Sequence, residues 1–254
     1  MGYRREDIEK PLVGIIHGFD QVSPGNANNA RLVEAAKIGI AGAGGTPVEI
    51  PIPGVCGSMS GGADTFRYNF TYRDCAASLA EIMMSINRLD ACLFIPTCDN
   101  VVPAYLIAAA RVNIPSVFLT GGYMKPGCHC GRVITAFDLP KIISGNAAEH
   151  KLSQQEIDRI IASACPTTGG CPEIGTANTM AAMTEALGMS LPGNATTANY
   201  EAEIVRMAKT AGEMVLQAYR SNIRPRDVIT KAGLEDAAKI VLAIGGSPNV
   251  LLHI

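Results

Sequence analysis

Two cysteines, Cys98 and Cys171, carry the chemistry that this chain most directly suggests. Cys98 is followed at once by Asp99, so a soft ligand stands beside a hard one. Thiolates suit soft metals and iron–sulfur clusters, and a carboxylate suits a hard ion such as Mg²⁺. Cys171 closes a glycine-rich loop just ahead of Thr176-Ala177-Asn178-Thr179-Met180, where a helix is expected to start with Thr176 as its N-cap. The partial positive charge of a helix N-terminus favours a thiolate there. Such a thiolate can bind a metal, attack an electrophile or simply pack, and with no CxxC pair in the chain, spacing leaves these alternatives open. Cys128-His129-Cys130 compresses two soft ligands and an imidazole into three residues after Pro126-Gly127. It reads either as a chelating group or as an exposed polar loop. His17 ends an apolar run, where general-base work is conceivable but a hydrogen-bonded structural role is the simpler reading. His150 and His253 show no partner pattern. Gly121-Gly122 and the loop from Gly57 to Gly62 resemble backbone anion nests but lack the lysine of a phosphate loop.

The elements that must position these residues follow from periodicity. Strands are expected near residues 12–17, 47–50, 91–95 and 116–119, the first and third of them buried, and helices near 30–41, 73–87 and 103–111. Strand and helix alternating over short links predict an α/β fold, a mostly parallel sheet with helices on both faces. Ligands bind outside the carboxyl ends of the strands in such sheets. The loops holding Pro24-Gly25, Cys56, Cys98-Asp99 and Gly121-Gly122 all fall there. Beyond Gly127 the chain is expected to be mainly helical. Ser153 opens a capping box with Glu156, and Gly188 is placed to end the helix that follows Cys171. Further helices are expected near 200–219 and 227–242.

The chain has 254 residues, of which 48% are hydrophobic and 17% charged, with a net charge of −2. That is ample for a real core and leaves no electrostatic footprint for nucleic acid or an anionic membrane. No apolar run approaches the ~18 residues of a membrane helix, and the first residues lack the apolar core of a signal peptide. The eight cysteines form no regular framework, so reduced thiols in a cytoplasmic protein are expected, with Cys75 and Cys92 as core residues. The last residues run apolar and are expected to need cover, as in a homo- or hetero-oligomer.

With these segments laid out, the chain resembles the dihydroxy-acid dehydratase and phosphogluconate dehydratase family, which includes sugar-acid dehydratases. Four segments carry the resemblance: Cys98-Asp99 with Pro103, the stretch Ile114 to Gly122, Cys165 through Gly193, and Gly245-Gly246-Ser247-Pro248-Asn249. It implies a single domain over residues 1–254, similar to the family's cluster-binding N-terminal half, without the β-rich half that carries the catalytic serine base. It also implies loss of water from a 2,3-dihydroxy or sugar acid, giving a 2-keto acid, with an iron–sulfur cluster (2Fe-2S or 4Fe-4S) and Mg²⁺. By position, Cys98 and Cys171 match cluster ligands and Asp99 a Mg²⁺ ligand, and Asp64 falls where the family often has a glutamate near the metal. The departures are specific. A cluster cysteine is replaced by Gly25, the lysine after Cys-Asp by Asn100, and the aspartate of a Ser-Asp-Gly loop by Gly57. Cys56, Cys128 and Cys130 are candidate replacement cluster ligands. The resemblance leaves two readings: a dehydratase half, either truncated or completed by a separate polypeptide, or a non-catalytic relative kept for assembly or regulation.

Overall fold

A computed structural model describes residues 2–60, 64–149 and 152–254. After a short helix α1 (Arg5–Ile8), strand β1 (Leu12–Gly18) leads to helix α2 (Asn29–Gly42) and strand β2 (Thr46–Ile52). Helix α3 (Tyr68–Ile86) returns to β3 (Ala91–Ile95), and α4 (Val101–Val112) to β4 (Ser116–Phe118). The four strands form one sheet in the order β2-β1-β3-β4, every pair parallel. The class is therefore α/β, as the alternation of strand and helix implies.

Both faces of this sheet are covered, which explains why the interior strands β1 and β3 read as apolar runs, while the edge strand β2 leaves Glu49 and Pro51 exposed. Successive side chains alternate between faces. Ile16, Phe94 and Phe118 join α3 and α4 in one core, together with Met180 and Met183. Val13, Ile15, Leu93 and Ile95 point the other way, to Leu32 and Ile40 of α2 and to Ile204 and Val215 of α8 (Ala202–Arg220). Helices α2 and α8 touch through their backbones: a Cβ at Gly39 would collide with the Lys209 carbonyl, and one at Gly212 with the Ala36 carbonyl.

Beyond β4 the chain is helical apart from one hairpin. Strands β5 (Gly127–His129) and β6 (Arg132–Ile134) pair antiparallel. Cys130 and Gly131 both have positive φ, the geometry of a tight two-residue hairpin turn. Helices α5 (Leu139–Glu149) and α6 (Gln154–Ala164) follow, then α7 (Thr176–Ala186), α8, α9 (Pro225–Val228) and α10 (Lys231–Ala243). The Ser153–Glu156 capping box forms, and Gly188 takes φ 77° after the end of α7.

Several local expectations are corrected. Helix α3 begins at Tyr68, five residues before Arg73, because the chain passes into it directly from the short helical turn Asp64–Arg67. Gly175, not Thr176, caps α7; the Thr176 hydroxyl lies 3.0 Å from that of Ser247 instead. Cys75 is exposed, because α3 buries the face carrying Ala76, Ala77, Ala80 and Met84. Cys92 is buried in the core as expected. His150 and Gly61-Gly62 lie outside the described residues. Among the described residues, no helix is long and apolar enough to cross a membrane.

Candidate functional site

The loops that leave the carboxyl ends of β1, β3 and β4 are tied down by buried amides. Asn29, fully buried, donates to the carbonyls of Gly18 (2.8 Å) and Ile95 (3.3 Å) and accepts from the Thr97 hydroxyl (3.0 Å). Asn199 donates to the Gly121 carbonyl at 2.6 Å, and Asn194 accepts from the Thr120 N–H at 2.7 Å. These side chains close backbone groups that the sheet leaves open at the strand ends. The loop that carries Cys171 is stitched to them. Gly169 N–H donates to the Pro24 carbonyl (3.0 Å), Gly170 N–H to the Gly122 carbonyl (2.9 Å), and Asn178 of α7 reaches back to the Cys171 carbonyl (2.8 Å).

The result is a cavity of about 460 Å³ lined by Cys56, Gly57, Ser58, Cys98, Asp99 and Cys171, with Phe66, Phe137, Thr176 and Asn249 completing its walls. Cys98 and Cys171, far apart in the sequence, therefore share one space. The Gly245–Asn249 segment is laid on the start of α7: Ser247 N–H donates to Thr179 Oγ1 at 2.9 Å and Asn249 Nδ2 to Thr176 Oγ1 at 3.4 Å. Position 25 borders the cavity sulfurs without contributing one, since a Cβ there would run into Cys98 Sγ. A Cβ at Gly57 would come within 2.7 Å of Asp99 Oδ2.

The thiols differ in acidity. The hydrogen bond from Cys98 and the N–H groups of Met59 and Ser58 outweigh burial and hold the Cys56 thiol at about 6. Cys98, 5% exposed, is pushed well above the ordinary thiol range by the same bond and by its burial, so it keeps its proton and donates. Burial pushes Cys171 up to about 11 against the help of the Ser58 hydroxyl, 3.6 Å away. The helix-terminus thiolate expected at Cys171 is thus corrected: its burial favours the protonated thiol, and α7 begins only at Thr176, five residues on. Burial likewise raises Asp99, although its Oδ1 accepts from the Asn100 N–H at 3.0 Å.

The other candidates sit elsewhere. Cys128 and Cys130 are exposed on the β5–β6 hairpin, Asp64 is exposed in its helical turn, and none of the three lines the cavity. Buried His17 pairs with Glu49 at 3.1 Å and is outside the cavity wall, and its burial lowers its pKa. His253 packs by Arg73, and burial lowers it to about 4. Three groups have surroundings that the sequence did not show. Both Glu173 carboxylate oxygens are buried without a hydrogen-bond partner, as is Asn100 Oδ1, and Ser58 bridges toward Cys171. Ser58 carried a signal in its glycine-rich loop at a strand end and Asn100 in its place after Cys98-Asp99, whereas Glu173 carried none.

Among the described residues, no three His, Cys, Asp or Glu side chains converge closely enough to hold a single metal ion. For Mg²⁺ this is a poor fit. Asp99 is the only carboxylate on the described cavity wall, and burial favours its protonated form. An iron–sulfur cluster makes a different demand, thiolates facing a common space rather than a common point. Three thiols around one cavity meet it.

A parallel α/β sheet with a thiol-lined cavity at its strand ends defines a domain of the open-sheet α/β class. The sequence profile of the dihydroxy-acid/6-phosphogluconate dehydratase N-terminal family matches residues 10–254, and the chain belongs to that family. It is 39% identical over 254 residues to a dihydroxy-acid dehydratase of Moorella thermoacetica and 40% identical over 255 residues to one of Methanococcus aeolicus. Each match covers 100% of this chain and 46% of the relative, so the chain spans about half the length of the curated relatives it matches.

Proposed function

We propose that this chain is the thiol-bearing half of a hydro-lyase that removes water from a 2,3-dihydroxy carboxylic acid or a sugar acid to give a 2-keto acid. The observation that carries the reading is the meeting of Cys98 and Cys171 in one cavity at the strand ends. Membership of the dehydratase family supports it. An iron–sulfur cluster held by these thiolates supplies Lewis acidity toward the departing C3 hydroxyl, which is otherwise a poor leaving group. Phe66 and Phe137 supply apolar wall to the cavity, and Thr176 and Asn249 offer a hydroxyl and an amide that orient substrate oxygens by hydrogen bonding. The described cavity wall holds no histidine or lysine to take the C2 proton. That base is assigned to the β-rich half, whether the remainder of a longer chain or a separate polypeptide. Mg²⁺ finds one ligand here, Asp99, and no step is assigned to it. The working form is a cytoplasmic homo- or hetero-oligomer, with neither nucleic acid nor membrane as partner.

Anaerobic reconstitution with iron, sulfide and Mg²⁺ in the presence of the β-rich half tests this. A 2-keto acid is expected from at least one member of a panel of sugar acids and branched dihydroxy acids. A cluster-loaded protein that converts none of them would overturn the catalytic reading. It would leave the second, a non-catalytic relative used for assembly or regulation, which the replacements at Gly57 and Asn100 beside Asp99 favour.

A further inference from the structure

We infer that Cys56 supplies the third thiolate of the site, delivered from the loop after β2 where the loop after β1 offers only the bare backbone of Gly25; this rests on the cluster-site reading above. Of the eight cysteines, Cys56, Cys98 and Cys171 line the cavity. Cys92 is buried in the core, and Cys75, Cys128, Cys130 and Cys165 are exposed outside the cavity wall. Gly25 and Cys56 approach the same sulfur from two loops. A Cβ at position 25 would run into Cys98 Sγ, so that side of Cys98 has no room for a side chain as it stands. The Cys56 thiol shares the cavity wall with that sulfur and is near enough for each to shift the other's acidity.

The turn that begins at Cys56 also reaches the third thiol, through the Ser58 hydroxyl 3.6 Å from Cys171 Sγ. The Met59 N–H closes this turn on the Cys56 carbonyl at 3.2 Å, so the thiol is held by ordered backbone. A set of three thiols that do not converge on one point does not suit a single ion. It suits a group of several irons whose ligands are spread around its perimeter. Thiolates also select iron over hard cations.

The test uses the full chain prepared without oxygen, with iron content, acid-labile sulfide and the visible absorption spectrum as readouts. Cys56→Ser is expected to lose most of its iron and sulfide and to bleach the spectrum, whereas Cys128→Ser, altered on the exposed hairpin, keeps all three. Circular dichroism and the thermal midpoint of the metal-free variants show whether the fold survives, and Cys56→Ala repeats the loss without a hydroxyl to stand in for the thiol. If wild type carries a cluster that Cys98→Ser and Cys171→Ser lose but both Cys56 variants keep, the assignment of Cys56 fails and the cluster site stands. If wild type takes up no cluster under these conditions, the cluster-site reading fails and this inference with it.

Discussion

Two cysteine-bearing regions of this molecule stand in contrast. On the β5–β6 hairpin, Cys128 and Cys130 sit two residues apart with His129 between them, and both are exposed. At the strand ends, Cys56, Cys98 and Cys171 come from three distant loops and line one cavity. The compact motif is spent on a turn: Cys130 adopts φ 49° so that the hairpin can close. Cys56 and Cys98 are gathered because a parallel sheet brings every strand-to-helix loop to the same edge, and Cys171 because the segment between α6 and α7 is hydrogen-bonded to those loops through Gly169 and Gly170. Closeness in sequence is therefore the poorer guide to a site here, and topology the better one.

The largest effects should separate the two regions by stability. Asn29→Ala strips partners from the Gly18 and Ile95 carbonyls and the Thr97 hydroxyl. Each buried group left unpaired costs ~1–3 kcal/mol, whereas Cys128→Ser on the exposed hairpin is expected to stay within ~0.5 kcal/mol of wild type. Urea unfolding midpoints measure both, and equal shifts would erase the contrast. Gly25→Ala comes next. Its methyl group would drive into Cys98 Sγ, an overpacking cost of ~1–3 kcal/mol. Gly145 on α5 has open space around its missing Cβ, so Gly145→Ala is expected to gain ~0.5–1 kcal/mol.

A chemical difference is expected within the cavity itself. The metal-free chain should alkylate at Cys56 ahead of Cys171, because one is held at about 6 and the other pushed to about 11. The rate at Cys56 should be flat above neutrality and fall as pH drops through about 6, where its thiolate is lost. Mass spectrometry of iodoacetamide-treated protein reads this, and faster labelling of Cys171 would reverse the assignment. The smallest effect belongs to the C-terminal turn. His253, lowered from 6.5 to about 4 by burial, is neutral in the folded chain. Below 6.5 the unfolded state takes up the proton first. Its contribution is therefore intact above 6.5 and lost as pH falls toward about 4. His253→Asn should flatten the acid limb of the thermal midpoint against pH, and an unchanged limb would remove His253 as its source.

Much of this was legible in the sequence, and the illegible part has physical causes. The four strands and the covered sheet follow from apolar runs, and the convergence of Cys56 and Cys98 follows from the parallel class alone. The Ser153–Glu156 box and Gly188 were readable as local backbone requirements. The solvent face of Cys75 was not, because α3 packs through small residues, Ala76, Ala77 and Ala80, which mark a buried face only weakly in the sequence. The acidity of Cys171 was not either. Its position ahead of a helix is a sequence fact, but the burial that favours its protonated form is set by loops distant in the chain. Nor does spacing reveal that Gly25 and Cys56 lie near one sulfur, which depends on how two neighbouring strands register.

The central claim is that the strand-end thiols, not the hairpin thiols, bind an iron–sulfur group. Iron-edge X-ray absorption on anaerobically reconstituted chain tests it most directly. A first shell of sulfur with iron–iron scattering behind it, present in wild type and Cys128→Ser and lost in Cys171→Ser, is the predicted result. A first shell of oxygen and nitrogen, or a sulfur signal that survives Cys171→Ser and vanishes with Cys128→Ser, would contradict it.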